Sequence, residues 1–468
     1  MLRPWTGFVS RLPQRYGRQP GGRDTVVEMG ARSPVHEIVN ALWRALHELK
    51  SPAEMNDIER WGFSLHAALS AAGREFHNHD HVVSLLRDGD ALEVIAALYH
   101  DCVYVQVDEG APRSMRTDLE PLLQQEPDGW RIMPAAATGG VGDVLAVFGR
   151  RVGDVATPYT GLNELASALV AASQLGQVIS REDVIAIAAC IEQTIPFRED
   201  PVPELHARVK ALGIDGEALD HLIRRAVRVG NRDVENFSEN ESARFLDNTW
   251  KLLPESNPAL HSPLVYTVRD YRQALQKMEV FLAQLPAERV FHAWGGEPKP
   301  EIHARRVART TGNVVLAVRY LRAKLYSIAL VEALAEATGG DVPLDYFMGG
   351  KATTRPDARR IEQFLPTLES ARDLDPPLHK LLAEGRASES SFDTGPSPLG
   401  AFLHAAVGEA GVMKQVELAK RWWGGGATAM DFLAAQPKMA VAAIARAAAN
   451  IIDTRRDRLF ALAERLSA

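Results

Sequence analysis

Along most of this chain apolar residues recur every three or four positions, the spacing of one face of an α-helix. In "SPVHEIVNALWRALHEL" Val35, Ile38, Val39, Leu42, Ala45 and Leu46 form such a stripe, behind Ser33 as N-cap and Pro34 at the first helical position. "DIERWGFSLHAALSAAG" repeats the pattern and stops at Gly73, a residue suited to a helix C-cap. "DALEVIAALYHD" fits a buried helix that ends near His100 and Asp101. The same spacing predicts helices at 161–175, 181–194, 204–213, 216–229, 240–252, 265–284, 301–337, 358–371, 398–410, 411–422 and 437–466. No run of alternating strands interrupts them, so the expected fold class is all-α.

Two stretches break the helical rhythm. Residues 108–158 are rich in Gly and Pro and read as an insertion with little helix, carrying a small strand pair around "GWRIM" and "DVLAVFG". Residues 384–397, "EGRASESSFDTGPS", read as a polar, flexible connector. A further break at 253–262, "LPESNPALHS", divides an N-terminal domain at 30–255 from a C-terminal helical domain at 260–468. The first 28 residues hold five arginines and no long apolar region, so residues 1–29 read as a disordered leader; a transit peptide, or a true start at Met29, are the alternatives.

Composition narrows the class. A chain of 468 residues is too long for one ordinary core and implies two or three domains. With 46% apolar and 24% charged residues it has the make-up of a soluble globular protein. A net charge of −7 gives no basic field for nucleic acid. Two cysteines, Cys102 and Cys190, are too few for a disulfide scaffold or a cysteine-based zinc module, which suits a reducing, cytoplasmic setting. No uninterrupted apolar run of about 18 residues calls for a membrane span.

The candidate chemistry is concentrated in "GREFHNHDHVVSLL", residues 73–86, with His77, His79 and His81. On a helix His77 and His81 would share a face and His79 would point elsewhere. "ALYHDCVY" then supplies His100 beside Asp101. Imidazole nitrogens with a carboxylate suit a divalent metal ion, provided one more anionic ligand joins them. "ATGGVGDVLAVFG" does not read as a nucleotide loop, because no strand–loop–helix unit surrounds it and no Lys-Ser/Thr follows. "GGKATTRPDARR", at 349–360, reads as a solvated basic loop.

The order His81, His100–Asp101, late aspartate resembles the H…HD…D pattern of the HD-domain superfamily of metal-dependent phosphohydrolases. "FHNHDH" is similar to the Y-H-N-x-x-H segment of class I cyclic-nucleotide phosphodiesterases, with Phe76 in place of Tyr. "REFHNHDH", "ALYHDCVY" and "NELASA" (163–168) resemble, in order, three segments of the predicted HD phosphohydrolases of bacteria. The likeness covers roughly 30–255, with 108–158 inserted between the second and third segments.

What the resemblance implies is specific. His81, His100, Asp101 and Asp233 would be metal ligands, with Asp247 the rival to Asp233. His77 would be a general acid, Arg74 a phosphate contact, and Glu164 a partner for metal-bound water or for a ligand. The cofactor would be a divalent ion (Mg, Mn, Zn, Co or Fe) and the substrate a small phosphoester, such as a nucleotide or cyclic nucleotide. Two alternatives stand beside it. An HD-type di-iron oxygenase needs extra histidines before the last aspartate, where only His206 and His221 occur. A non-enzymatic sensing or scaffold module would use the C-terminal helices as a partner or homo-oligomer surface.

Overall fold

The computed structural model describes residues 33–467 apart from 263, 351–357 and 368–373. The leader expected at 1–29 and most of the basic loop at 349–360 lie outside the described residues. Among those described, nineteen α-helices stand against one small sheet, so the fold is all-α. The sheet is antiparallel, in the order β1 (Leu123–Glu126), β2 (Gly129–Ile132), β3 (Val155–Ala156). No described helix is long and apolar enough to cross a membrane.

The apolar side chains gather in two clusters. The first runs from Ile38 to Val229 and the second from Val234 to Leu466. At the centre of the first is the Ala91–Tyr99 helix, capped by Asp90, whose carboxylate accepts from the N–H groups of Leu92 and Glu93. All its residues but Val94 are buried, because Pro34–Glu48, Leu162–Leu175, Arg181–Gln193 and Gly216–Asp233 pack around it. The second cluster surrounds Pro300–Thr338, whose later turns are buried nearly all round by Val268–Gln284, Ala429–Ala434 and Pro398–Trp423. Ser242–Ser256 gives Phe245, Leu246, Trp250 and Leu253 to the second cluster, so the cores change over at 229–234, ahead of the break at 253–262.

Several local expectations are corrected. The helix that begins at Met55 ends at Leu69, capped by Ser70, and Gly73 instead makes a turn with φ +94°. A Cβ at Gly73 would come 2.7 Å from the imidazole of His261, so close approach as well as φ requires glycine. "DVLAVFG" lies mostly in the Gly139–Val147 helix, and β2 pairs with β1 and β3. A short apolar run suits a buried helix turn as well as a strand; here Val144, Leu145 and Val147 pack on neighbouring helices. Of the helix expected at 358–371, the described residues hold one 3₁₀ turn, Ile361–Phe364. The helix expected at 437–466 is two, Lys438–Ala449 and Arg456–Ser467. The two expected at 398–410 and 411–422 follow each other through a break at Gly408, φ 68°. Residues 384–397 are not a loose connector: Phe392, Arg386 and Asp393 are buried.

Gly230 lets the Gly216–Asp233 helix reach the helix that carries Gln193. A Cβ there would sit 2.6 Å from the Gln193 carbonyl oxygen and 3.0 Å from its Cγ. Gly230→Ala is therefore expected to lose about 1–3 kcal/mol from overpacking, against a helix-propensity gain of at most about 1 kcal/mol. Urea unfolding measures the net loss; an unchanged midpoint would mean that the two helices separate freely.

Candidate metal centre

Three helix ends bring the ligand candidates together. Asn78 is the N-cap of His79–Leu85, and its Oδ1 accepts from the N–H groups of Asp80 (2.9 Å) and His81 (3.3 Å). That cap puts His81 on the first helical turn. His77 precedes the helix, so the shared helical face expected for His77 and His81 does not exist. The chain's turn brings their rings to 5.9 Å all the same. His79 points away, with its ring near His66 and its Nε2 3.2 Å from Asp80. His100 is the C-cap of Ala91–Tyr99, with Asp101 next in the chain. Asp233 is the last residue of Gly216–Asp233. Asp247 is placed elsewhere, hydrogen-bonded by the Ser388 hydroxyl and 3.6 Å from Arg386.

His81, His100, Asp101 and Asp233 offer four ligand atoms within 4.8 Å of one another. Among the described residues this is the one such group. His81 Nε2 is 3.0 Å from Asp233 and 3.6 Å from Asp101; His100 Nε2 is 2.9 Å from Asp101 and 3.3 Å from Asp233. The tautomer of His100 is fixed from behind. Its Nδ1 is 2.8 Å from the Ala97 carbonyl, which can only accept, so Nδ1 carries a proton and Nε2 faces the carboxylates.

His100 Nε2 and Asp101 Oδ2 are buried and have no partner in hydrogen-bond geometry. A ring nitrogen and a carboxylate oxygen packed this closely fit around a cation. With an ion in place of any proton on the Nε2 atoms, two neutral imidazoles and two carboxylates carry a charge of −2, suited to a divalent ion. Burial opposes charge on each group; without an ion, hydrogen bonds and opposing charges within the set overcome it. Asp101 and Asp233 hold His100 well above the usual histidine range; His100 leads in holding Asp101 far below the carboxylate range and Asp233 at about 2.

Beside this cluster, His77 is clamped by Glu255, which the sequence reading did not find. Glu255 Oε1 accepts from the backbone N–H groups of Phe76 (2.7 Å) and His77 (3.0 Å). Its Oε2 lies 2.5 Å from His77 Nδ1. Burial alone would lower the His77 pKa; Glu255, then Asp101, raise it to about 9. The imidazole therefore stays protonated at neutral pH.

Arg74 has a different place from the one expected. Its side chain has no exposed area and its guanidinium forks onto Asp108, Nε at 3.0 Å and Nη2 at 2.5 Å. Nη1 donates to the carbonyls of Asp101 (2.6 Å) and His77 (3.3 Å). Four of its five N–H groups are used and none of the side chain reaches solvent, so Arg74 fixes the backbone of the site instead of meeting a phosphate. Glu164, in the first turn of Leu162–Leu175, makes no ion pair among the described residues. Burial, with Asp101 and Asp233 adding their charge, pushes its carboxyl up to about 7. A polar cavity of about 800 Å³ reaches His81 and Asp233; its wall carries Arg87, Arg232 and Lys251 and also the carboxylates of Glu75, Asp80, Asp88, Glu235 and Glu239.

No protein-family model, curated protein or solved structure matches this chain.

Two measurements probe the centre. Asp233→Asn removes one anionic ligand, and its affinity for Mn²⁺ or Zn²⁺ should fall by more than the roughly 100-fold typical of losing a group behind a ligand. Competition with a chelating dye reads this out, and equal affinities would remove Asp233 from the ligand set. Arg74→Met strands the buried Asp108 carboxylate and should destabilise by about 3–5 kcal/mol, part of which Asp108→Asn in the same chain restores. A stable single variant would deny Arg74 its structural role.

Proposed function

We propose that this chain is a metal-dependent phosphohydrolase with an HD-type centre, acting on a small phosphoester in the cytoplasm. The observation that carries the proposal is the convergence of His81, His100, Asp101 and Asp233 within 4.8 Å, beside a charged His77–Glu255 pair. The polar cavity next to them has room for a nucleotide-sized substrate.

A bound divalent ion would polarise a phosphoryl oxygen and lower the pKa of coordinated water. The protein's own groups account for the rest. His77 carries a proton that it can give to the leaving oxygen, and Glu255 keeps that proton in place. Arg87 and Lys251 are the cavity-wall groups that could meet a phosphate, among carboxylates that suit a bound cation. Glu164, with a pKa of about 7, can hold or release a proton near neutrality.

The test is turnover. Protein loaded in turn with Mn²⁺, Mg²⁺, Co²⁺ and Zn²⁺ should hydrolyse bis(p-nitrophenyl) phosphate or members of a nucleotide panel. His77→Ala should retain the metal and lose about 10²–10⁴-fold in kcat. Stoichiometric metal with no turnover on any substrate would favour the sensing module instead.

The pH profile gives a separate check. His77 must be protonated to act, so activity should fall on the basic side as pH rises past about 9. Glu255→Gln removes the strongest attraction holding that proton, so the basic limb should move down toward the ordinary histidine value of about 6.5. A basic limb that stays in place would take the acid role away from His77.

A further inference from the structure

A second cavity, of about 280 Å³, lies in the second core, and none of the four ligand candidates lines it. Lys324 reaches it from the fully buried part of Pro300–Thr338, and its side chain is 6% exposed. Its Nζ is 3.0 Å from Oδ2 of Asp393, which also lines the cavity. That one oxygen also accepts from Tyr271 Oη (2.6 Å), Trp250 Nε1 (2.9 Å) and Arg386 Nη1 (3.4 Å). Two buried cations, Lys324 and Arg386, thus share one fully buried carboxylate. The next acidic neighbour of Arg386 is Asp247, at 3.6 Å.

An ammonium has three donors, and Asp393 is the one hydrogen-bond acceptor for Lys324 among the described residues. Leaving charged donors unsatisfied in a buried wall is costly. An anionic acceptor entering the cavity would satisfy them. The other walls set the rest of the ligand: Tyr266, Tyr271, Ile328, Leu344, Met348 and Phe392 present aromatic and aliphatic surface. Asp345 also lines the cavity and has no ion pair among the described residues, which disfavours a dianion. Arg360, on the same wall, is already paired with Glu362 at 2.9 Å.

We infer that this cavity is a binding site for a small aromatic monocarboxylate, its carboxylate on Lys324 and its ring against Tyr266, Tyr271 and Phe392. The site is independent of the metal centre. It uses a stretch whose polar sequence gives no hint of a ligand, since Phe392 and Asp393 lie within "EGRASESSFDTGPS".

Phenylacetate, phenylacetamide and inorganic phosphate, each titrated into the full chain and followed by saturation-transfer NMR and thermal melting, test it. Phenylacetate should bind and raise Tm. The amide should bind about 10- to 100-fold more weakly, the worth of a charge-assisted hydrogen bond. The double variant Lys324→Met/Asp393→Asn removes both charges together, and with its helical signal intact it should lose phenylacetate by the same factor. No phenylacetate binding, equal binding of acid and amide, or binding of phosphate in place of phenylacetate would each overturn the inference. The acid–amide comparison uses the unaltered chain, so it decides the matter even if the double variant does not fold. Neither readout involves turnover, so failure here leaves the proposed hydrolase untouched, and the reverse holds as well.

Discussion

Two carboxylates and two imidazoles crowded into a buried space set the terms for everything around them. Each group is costly to bury with charge, and a buried charge persists only with a compensating partner. Here the partners are one another: His81 and His100 face Asp101 and Asp233, while the far nitrogen of His100 is held by the Ala97 carbonyl. An arrangement of this kind cannot be left to flexible loops. Asn78 fixes the start of one helix, and His81 follows from it; His100 and Asp233 sit at the ends of two others. The backbone between them is then tied by Arg74, whose guanidinium holds the carbonyls of both His77 and Asp101 while Asp108 balances its charge.

The parts of this picture that sequence reveals are those governed by local rules. Helical stripes give most of the helices to within a few residues, since core-facing positions repeat along one face: Ile38, Leu42, Ala45 and Leu46 are all buried. The four ligand candidates are legible because donor types in a set order mark them before any distance is known. The choice between Asp233 and Asp247 turns on which helix end faces the cluster, and spacing alone does not say. Glu255 and Asp108 were invisible for a different reason. Each acts through a partner far along the chain, with Glu255 178 residues from His77, and a carboxylate on a helix has no local feature that announces such a contact.

Arg74 shows how a correct position can carry a mistaken role. Its place one turn before His77 suggests a hand free for phosphate, yet a buried guanidinium must spend its donors within the fold. The segment 384–397 misleads in the opposite sense. Ser, Glu, Gly and Pro in a row suggest solvent, but Arg386 and Asp393 are buried because their charges meet Trp250, Tyr271 and Lys324. Composition reports average preference, and a pair of opposite charges with good partners escapes the average.

The C-terminal half also reaches the candidate metal centre. Ser242–Ser256 belongs to the second core through Trp250 and Leu253, yet its last turn carries Glu255 into the first. Ser391, in the neighbouring segment, donates to Glu75, next to Phe76 and His77 in the chain. The four ligand candidates all come from helices of the first core, while the carboxylate partner of His77 comes from the second. Any separation of the two cores would therefore strip His77 of its carboxylate partner while leaving the four ligand candidates in place. In the proposed enzyme, binding of the ion and readiness of the acid are held by different parts of the molecule, and the Glu255–His77 contact is where the two meet.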